Sequence, residues 1–137
     1  MPRSLRETAI AYISRRSCHS KELESYLKRK GFFEVEPLLS EFKRLGYIND
    51  EEWLKAYERQ EARKGRSRKA SNFKLFQKGI GTKINGDDEE ALDLAILKKT
   101  KGLEIDEESR PKLIAYLIRK GFSYELILSK LKFSPHD

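Results

Sequence analysis

The sequence predicts an all-α protein assembled from tandem helical units, and two observations carry that expectation. Every patterned stretch of the 137 residues repeats its apolar side chains at intervals of three and four, with no sustained alternation of period two. A short pattern, Leu-x-x-Lys-Gly-(Phe or Ile), also occurs three times. It appears as Leu27, Lys30, Gly31 and Phe32, as Leu75, Lys78, Gly79 and Ile80, and as Leu117, Lys120, Gly121 and Phe122. Recurrence of this kind marks units too small to bury their own faces.

The elements follow in chain order. From Leu5 to Arg16, the residues Leu5, Ala9, Tyr12 and Ile13 share one helical face. Ser20 is placed as an N-cap, with Glu22 in the first turn and Leu23, Tyr26 and Leu27 as the buried stripe, and Gly31 ends that helix. Val35, Leu38, Leu39, Phe42 and Leu45 form a third stripe closed by Gly46, with Pro37 in the first turn, where its missing donor costs nothing. Asn49 with Glu52 reads as a capping box for a fourth helix carrying Trp53, Ala56 and Tyr57 and ending near Gly65. Further helices are expected at about 67–78, 87–99, 107–120 and 124–132. The repeats divide the chain into 1–48, 49–85 and 86–137.

Composition excludes several function classes. The single cysteine, Cys18, allows neither a disulfide framework nor a cysteine zinc cage. Apolar runs are far too short to cross a bilayer, and the first 16 residues lack a signal-peptide core, so a cytoplasmic protein is expected. No phosphate-binding Gly-Lys-Ser/Thr loop or dinucleotide fingerprint occurs, and no cofactor is expected. Cys18 beside His19 lacks the positioned base and oxyanion site of a thiol enzyme. Asp87, Asp88, Glu89 and Glu90 open a helix, where the dipole favours acids, and are read as caps rather than metal ligands. His136, after Pro135, is expected in a disordered polar tail.

Charge is the strongest functional signal. The net charge is +7, divided as +4, +5 and −2 over the three segments. Arg63, Lys64, Arg66, Arg68 and Lys69 put five cations into seven residues with no acid, and Arg59 and Lys74 flank them. Guanidinium groups bind phosphates bidentately, and a helix starting near Ser67 would add its N–H groups to the same anion site. Phe73 and Phe76, at helical spacing, are read as core rather than as base-stacking platforms. Lys28, Arg29 and Lys30 sit at a helix C-terminus, where the dipole accounts for them. Replacing Arg66, Arg68 and Lys69 by Ala is expected to leave the fold intact while weakening anion binding.

The run Gly46-Tyr47-Ile48-Asn49-Asp50-Glu51-Glu52-Trp53, then Tyr57, Lys64-Gly65 and Leu75-x-x-Lys78-Gly79-Ile80, resembles the RecX family of bacterial recombination regulators. The opening Ala11-Tyr12-Ile13-Ser14-Arg15-Arg16 with Ser20-x-x-Leu23, and the closing Tyr116-Leu117-Ile118-Arg119-Lys120-Gly121-Phe122, match the same pattern in the same order. The resemblance implies a curved array of three three-helix repeats that binds the RecA recombinase filament and inhibits its strand exchange and ATP hydrolysis, without catalysis of its own. The chain departs from that pattern at Gly81-Thr82-Lys83-Ile84-Asn85-Gly86, a loop where the second repeat should have its third helix. The expected partners are therefore the RecA filament and single-stranded or duplex DNA phosphates, met by a monomer that touches no membrane. The competing reading is a free-standing helical DNA-binding protein, although its helices lack the Asn, Gln and Arg runs suited to base edges.

Overall fold

The computed structural model describes residues 2–131, so Lys132 and His136 lie outside the described residues. Eight helices and no strand are found among them: α1 (Leu5–Arg15), α2 (Ser20–Arg29), α3 (Glu36–Arg44), α4 (Asp50–Arg63), α5 (Arg68–Gln77), α6 (Glu89–Thr100), α7 (Arg110–Arg119) and α8 (Tyr124–Leu131). Among the described residues, no helix is long and apolar enough to cross a membrane. Residues 80–87 contain no helical element, as the two glycines and asparagine of that stretch predict.

Contacts group the described residues into two units. The first comprises residues up to Ala56 with Lys78–Ile80; the second comprises Tyr57–Gln77 and residues from Gly81 onward. The first unit packs Ala9, Leu23, Leu27, Val35, Leu39 and Phe42 into its core, with Leu5, Tyr12, Ile13 and Tyr26 partly buried against it. The second packs Leu92, Ala95, Leu113, Leu117, Phe122 and Ile127. Two residues of the expected stripes lie outward instead: Leu45, at the end of α3, and Ala56 are exposed.

Three helix starts differ from expectation, each because a distant or neighbouring carboxylate captures a backbone donor. His19, not Ser20, caps α2: its Nδ1 accepts from the Lys21 N–H at 3.0 Å, while the Glu22 carboxylate accepts from its own N–H. Ser20 is taken by Asp50, to which it donates both its N–H (2.7 Å) and its hydroxyl (2.5 Å). At α7, the Asp106 carboxylate accepts the Ser109 N–H at 2.7 Å and holds a turn, so the helix begins at Arg110 with Pro111 in its first turn. At α6, Asp87 accepts from the Glu89 N–H, and helix begins at Glu89.

Helices α2, α3, α4 and α7 share one ending. A glycine with positive φ (Gly31, Gly46, Gly65 or Gly121) follows the cap, and the next N–H returns to the carbonyl five residues back. The two residues joined by that bond are apolar in three cases: Leu27 with Phe32, Phe42 with Tyr47, and Leu117 with Phe122. In α4 they are Glu61 and Arg66. Gly65 is also required by packing, since a Cβ there would stand 3.1 Å from the Ala95 backbone of α6. Leu27, Leu75 and Leu117 are all buried.

Candidate functional site

The basic region lies in the second unit, on the C-terminal half of α4, the turn after it and α5. Its geometry is organised by an acid that composition and spacing did not single out. Glu61, 2% exposed, receives Arg66 Nη1 at 2.9 Å, Lys74 Nζ at 3.3 Å and the Ser71 hydroxyl at 3.2 Å. Tyr57 stands beside it, its hydroxyl donating to the Ser71 carbonyl at 2.8 Å, and burial together with the Glu61 charge pushes the phenol far up. A carboxylate removed from water needs such partners, because an isolated buried charge is prohibitively costly. The signal was present in the spacing: Glu61 and Arg66 occupy the two positions that the glycine cap brings together, where the other helices place an apolar pair.

The seven candidate cations therefore divide. Arg66 and Lys74 are committed to Glu61. Arg68 donates from its side chain to the Gly86 carbonyl at 2.9 Å, and its N–H goes to Asp88 at 2.7 Å. The Ala70 N–H is taken by the Ser67 hydroxyl, which in turn donates to the Lys120 carbonyl. The start of α5 is thus capped by the chain's own Asp88 and Ser67, and two of the first-turn N–H groups expected to face an anion are already occupied. Arg59, Arg63, Lys64 and Lys69 are exposed, and among the described residues no carboxylate lies within ion-pair distance of them. Arg59 and Arg63, four apart on α4, share a face. Lys98 of α6 joins them, donating to the Arg63 carbonyl at 3.2 Å.

A cleft of about 320 Å³ beside this region is lined by Arg59, Arg66 and Arg68, but also by Glu58, Glu61, Asp87, Asp88 and Glu90. Carboxylates outnumber guanidinium groups there, so an anion is better received on the outward face than inside the cleft. Arg66 is exposed, but its bond ties it to the buried Glu61, so the Arg66, Arg68 and Lys69 triple replacement would also remove a partner of an interior carboxylate. Phe73 and Phe76 are corrected as well, for they are 59% and 76% exposed, whereas Ser71 and Leu75 form the inward side of α5.

In the first unit, Cys18 is buried. Burial, with Glu22 and Asp50 nearby, pushes its thiol up to about 11, so little thiolate exists at neutral pH. His19 is also buried, packs edge-on to Trp53 and lies 3.5 Å from Asp50, with Lys43 3.6 Å from the same carboxylate. Burial holds the imidazole below its ordinary value against the charges of Asp50 and Glu22, with Lys43 and Lys21 adding to the lowering. The folded state therefore binds fewer protons at His19 than the unfolded chain does. The resulting stability is complete above the ordinary histidine range and is lost as pH falls through that range toward the lowered folded value. Asp50 stays ionised there: burial opposes its charge, but the hydrogen bonds from Ser20, with His19 and Lys43, hold it below the usual carboxylate range. Thermal unfolding should thus shift downward between about pH 7 and about pH 5, and His19→Asn, which keeps a capping side chain but does not titrate, should flatten that response. An equal pH response in parent and variant contradicts this assignment.

The family described as RecX, third three-helix domain, matches residues 87–131, which hold α6, α7 and α8. The chain is 29% identical over 146 aligned residues to Regulatory protein RecX of Bacillus licheniformis, an alignment covering 94% of this chain and 54% of the relative. The chain thus spans about half the length of the curated relative it matches. No solved structure matches it. The third-domain match and the similarity along most of the chain, with an all-helical fold beneath them, together support assignment of this chain to the RecX family.

Proposed function

We propose that this chain is a regulatory protein of the RecA recombinase nucleoprotein filament, lowering its ATP hydrolysis and strand exchange in DNA repair and recombination. In this reading it acts as a cytoplasmic monomer without catalysis or a cofactor of its own. Residues 1–48, 49–85 and 86–137 are its three repeats, the second shortened. The observation that carries the proposal is the similarity to a protein named as a RecX regulator along 94% of the chain. The exposed, unpaired cations Arg59, Arg63, Lys64 and Lys69 support it, because a filament of DNA and protein is a polyanion.

The test is the rate of ATP hydrolysis by a purified cognate recombinase on single-stranded DNA. Added protein should slow hydrolysis and shorten the filaments seen by electron microscopy. No effect at saturating protein refutes the proposal. The same cations keep a second reading in view, that of a free-standing DNA-binding protein. Tight binding to bare duplex at physiological salt, with no change in recombinase activity, would select it.

A further inference from the structure

We propose that the outward face of α5 is a stacking platform for unpaired nucleobases, with Phe73 and Phe76 giving the protein a preference for single-stranded nucleic acid. Lys69, Phe73 and Phe76 fall on one face of the helix, opposite the side that Ser71 and Lys74 turn toward Glu61. Both rings stand in solvent, 59% and 76% exposed, and about 4.5 Å of helix axis separates them.

Position explains why these rings are not misplaced core. Counted back from the closing glycine, the sites of Phe73 and Phe76 in α5 correspond to Ser25 and Lys28 in α2 and to Ala115 and Ile118 in α7. All six are exposed. The site is outward in each helix, and only α5 fills it with aromatic side chains. Exposed aromatic area costs solubility unless something covers it, so the pair points to a partner.

Charge selects the partner. From Arg63 to Asn85 the chain carries eight cations and no acid. Lys69 lies on the face itself, unpaired, and Asn72 holds the Ile84 backbone against α5 through bonds of 2.8 and 3.2 Å, which brings exposed Lys83 alongside. Rings flanked by cations suit a single strand, whose phosphates meet the lysines while its bases lie on the rings; a duplex keeps its base faces covered. The inference concerns the protein's own affinity for nucleic acid and stands apart from its effect on a recombinase.

The experiment is fluorescence anisotropy of a labelled mixed-sequence single strand and of its duplex, each titrated with parent protein and with the Phe73→Ala, Phe76→Ala double variant. Both changes are at exposed positions, and circular dichroism of the variant, expected to match that of the parent, checks that it is folded. The parent should bind the single strand more tightly. The double variant should lose about 10- to 100-fold on the single strand, keep its duplex affinity and keep its salt dependence, since no charge is removed. Phe73→Trp with Phe76→Trp should retain binding. Absence of a single-strand preference, an equal loss on both forms or no loss overturns the platform. So does a variant that binds the strand normally but no longer slows the recombinase, which would assign the face to protein contact and leave the proposed regulatory function standing.

Discussion

Arg66→Ala combined with Lys74→Ala is expected to lower the unfolding free energy by about 3–5 kcal/mol, the cost of stranding a buried charge. Both residues are substantially solvent-exposed, and by position alone their removal would cost little. Their partner decides the magnitude. Glu61 is buried and its two oxygens are met by the guanidinium at 2.9 Å and the ammonium at 3.3 Å. Without these cations the partners left hydrogen-bonded to the carboxylate among the described residues, the Ser71 and Tyr57 hydroxyls, are neutral. Adding Glu61→Leu to the double variant should return most of the loss, because an apolar side chain of similar size needs no counter-charge. Urea unfolding followed by circular dichroism reads both effects. A double variant within about 1 kcal/mol of the parent, the size of an ordinary surface pair, would show that Glu61 does not depend on these partners.

The same residues show what was legible in the sequence. The stripes Leu23 with Leu27, and Val35 with Leu38, Leu39 and Phe42, were readable because a helix repeats every 3.6 residues and these positions share a face. Helix ends were readable from glycine, because few other residues adopt positive φ. What spacing could not supply were contacts between residues distant in the chain. Asp50 takes Ser20 from 30 positions away, Asp88 reaches Arg68 from 20, and Lys74 meets Glu61 across 13. Each moves a cation or a cap out of the role its neighbours suggested. Phe73 and Phe76 mark the opposite failure: their spacing is helical, but the inward side of α5 is built from Ser71 and Leu75, so hydrophobicity alone pointed the wrong way.

Arg59→Ala, Arg63→Ala, Lys64→Ala and Lys69→Ala made together should weaken binding to nucleic acid by about 100-fold or more at low salt and reduce inhibition of the recombinase in parallel. These four are the candidate cations that the fold leaves uncommitted, so their loss breaks no internal ion pair, and the helical spectrum should be unchanged. The diagnostic quantity is the salt dependence. Each phosphate contact contributes about 0.9 to the slope of log affinity against log salt on duplex DNA, so removing four should lower it by about 3 to 4. Net charge alone would produce a general weakening, and a control separates the two causes. Lys28→Ala, Arg29→Ala and Lys30→Ala remove three cations from the end of α2, where Lys28 is already paired with Glu24 at 3.3 Å and Lys30 lies over Tyr26. A site formed by residues 59–69 requires that this control keep nearly the parent slope. Equal flattening in both variants would mean that the excess charge attracts polyanions without a defined surface, and that the basic segment of α4 and α5 has no special part in binding.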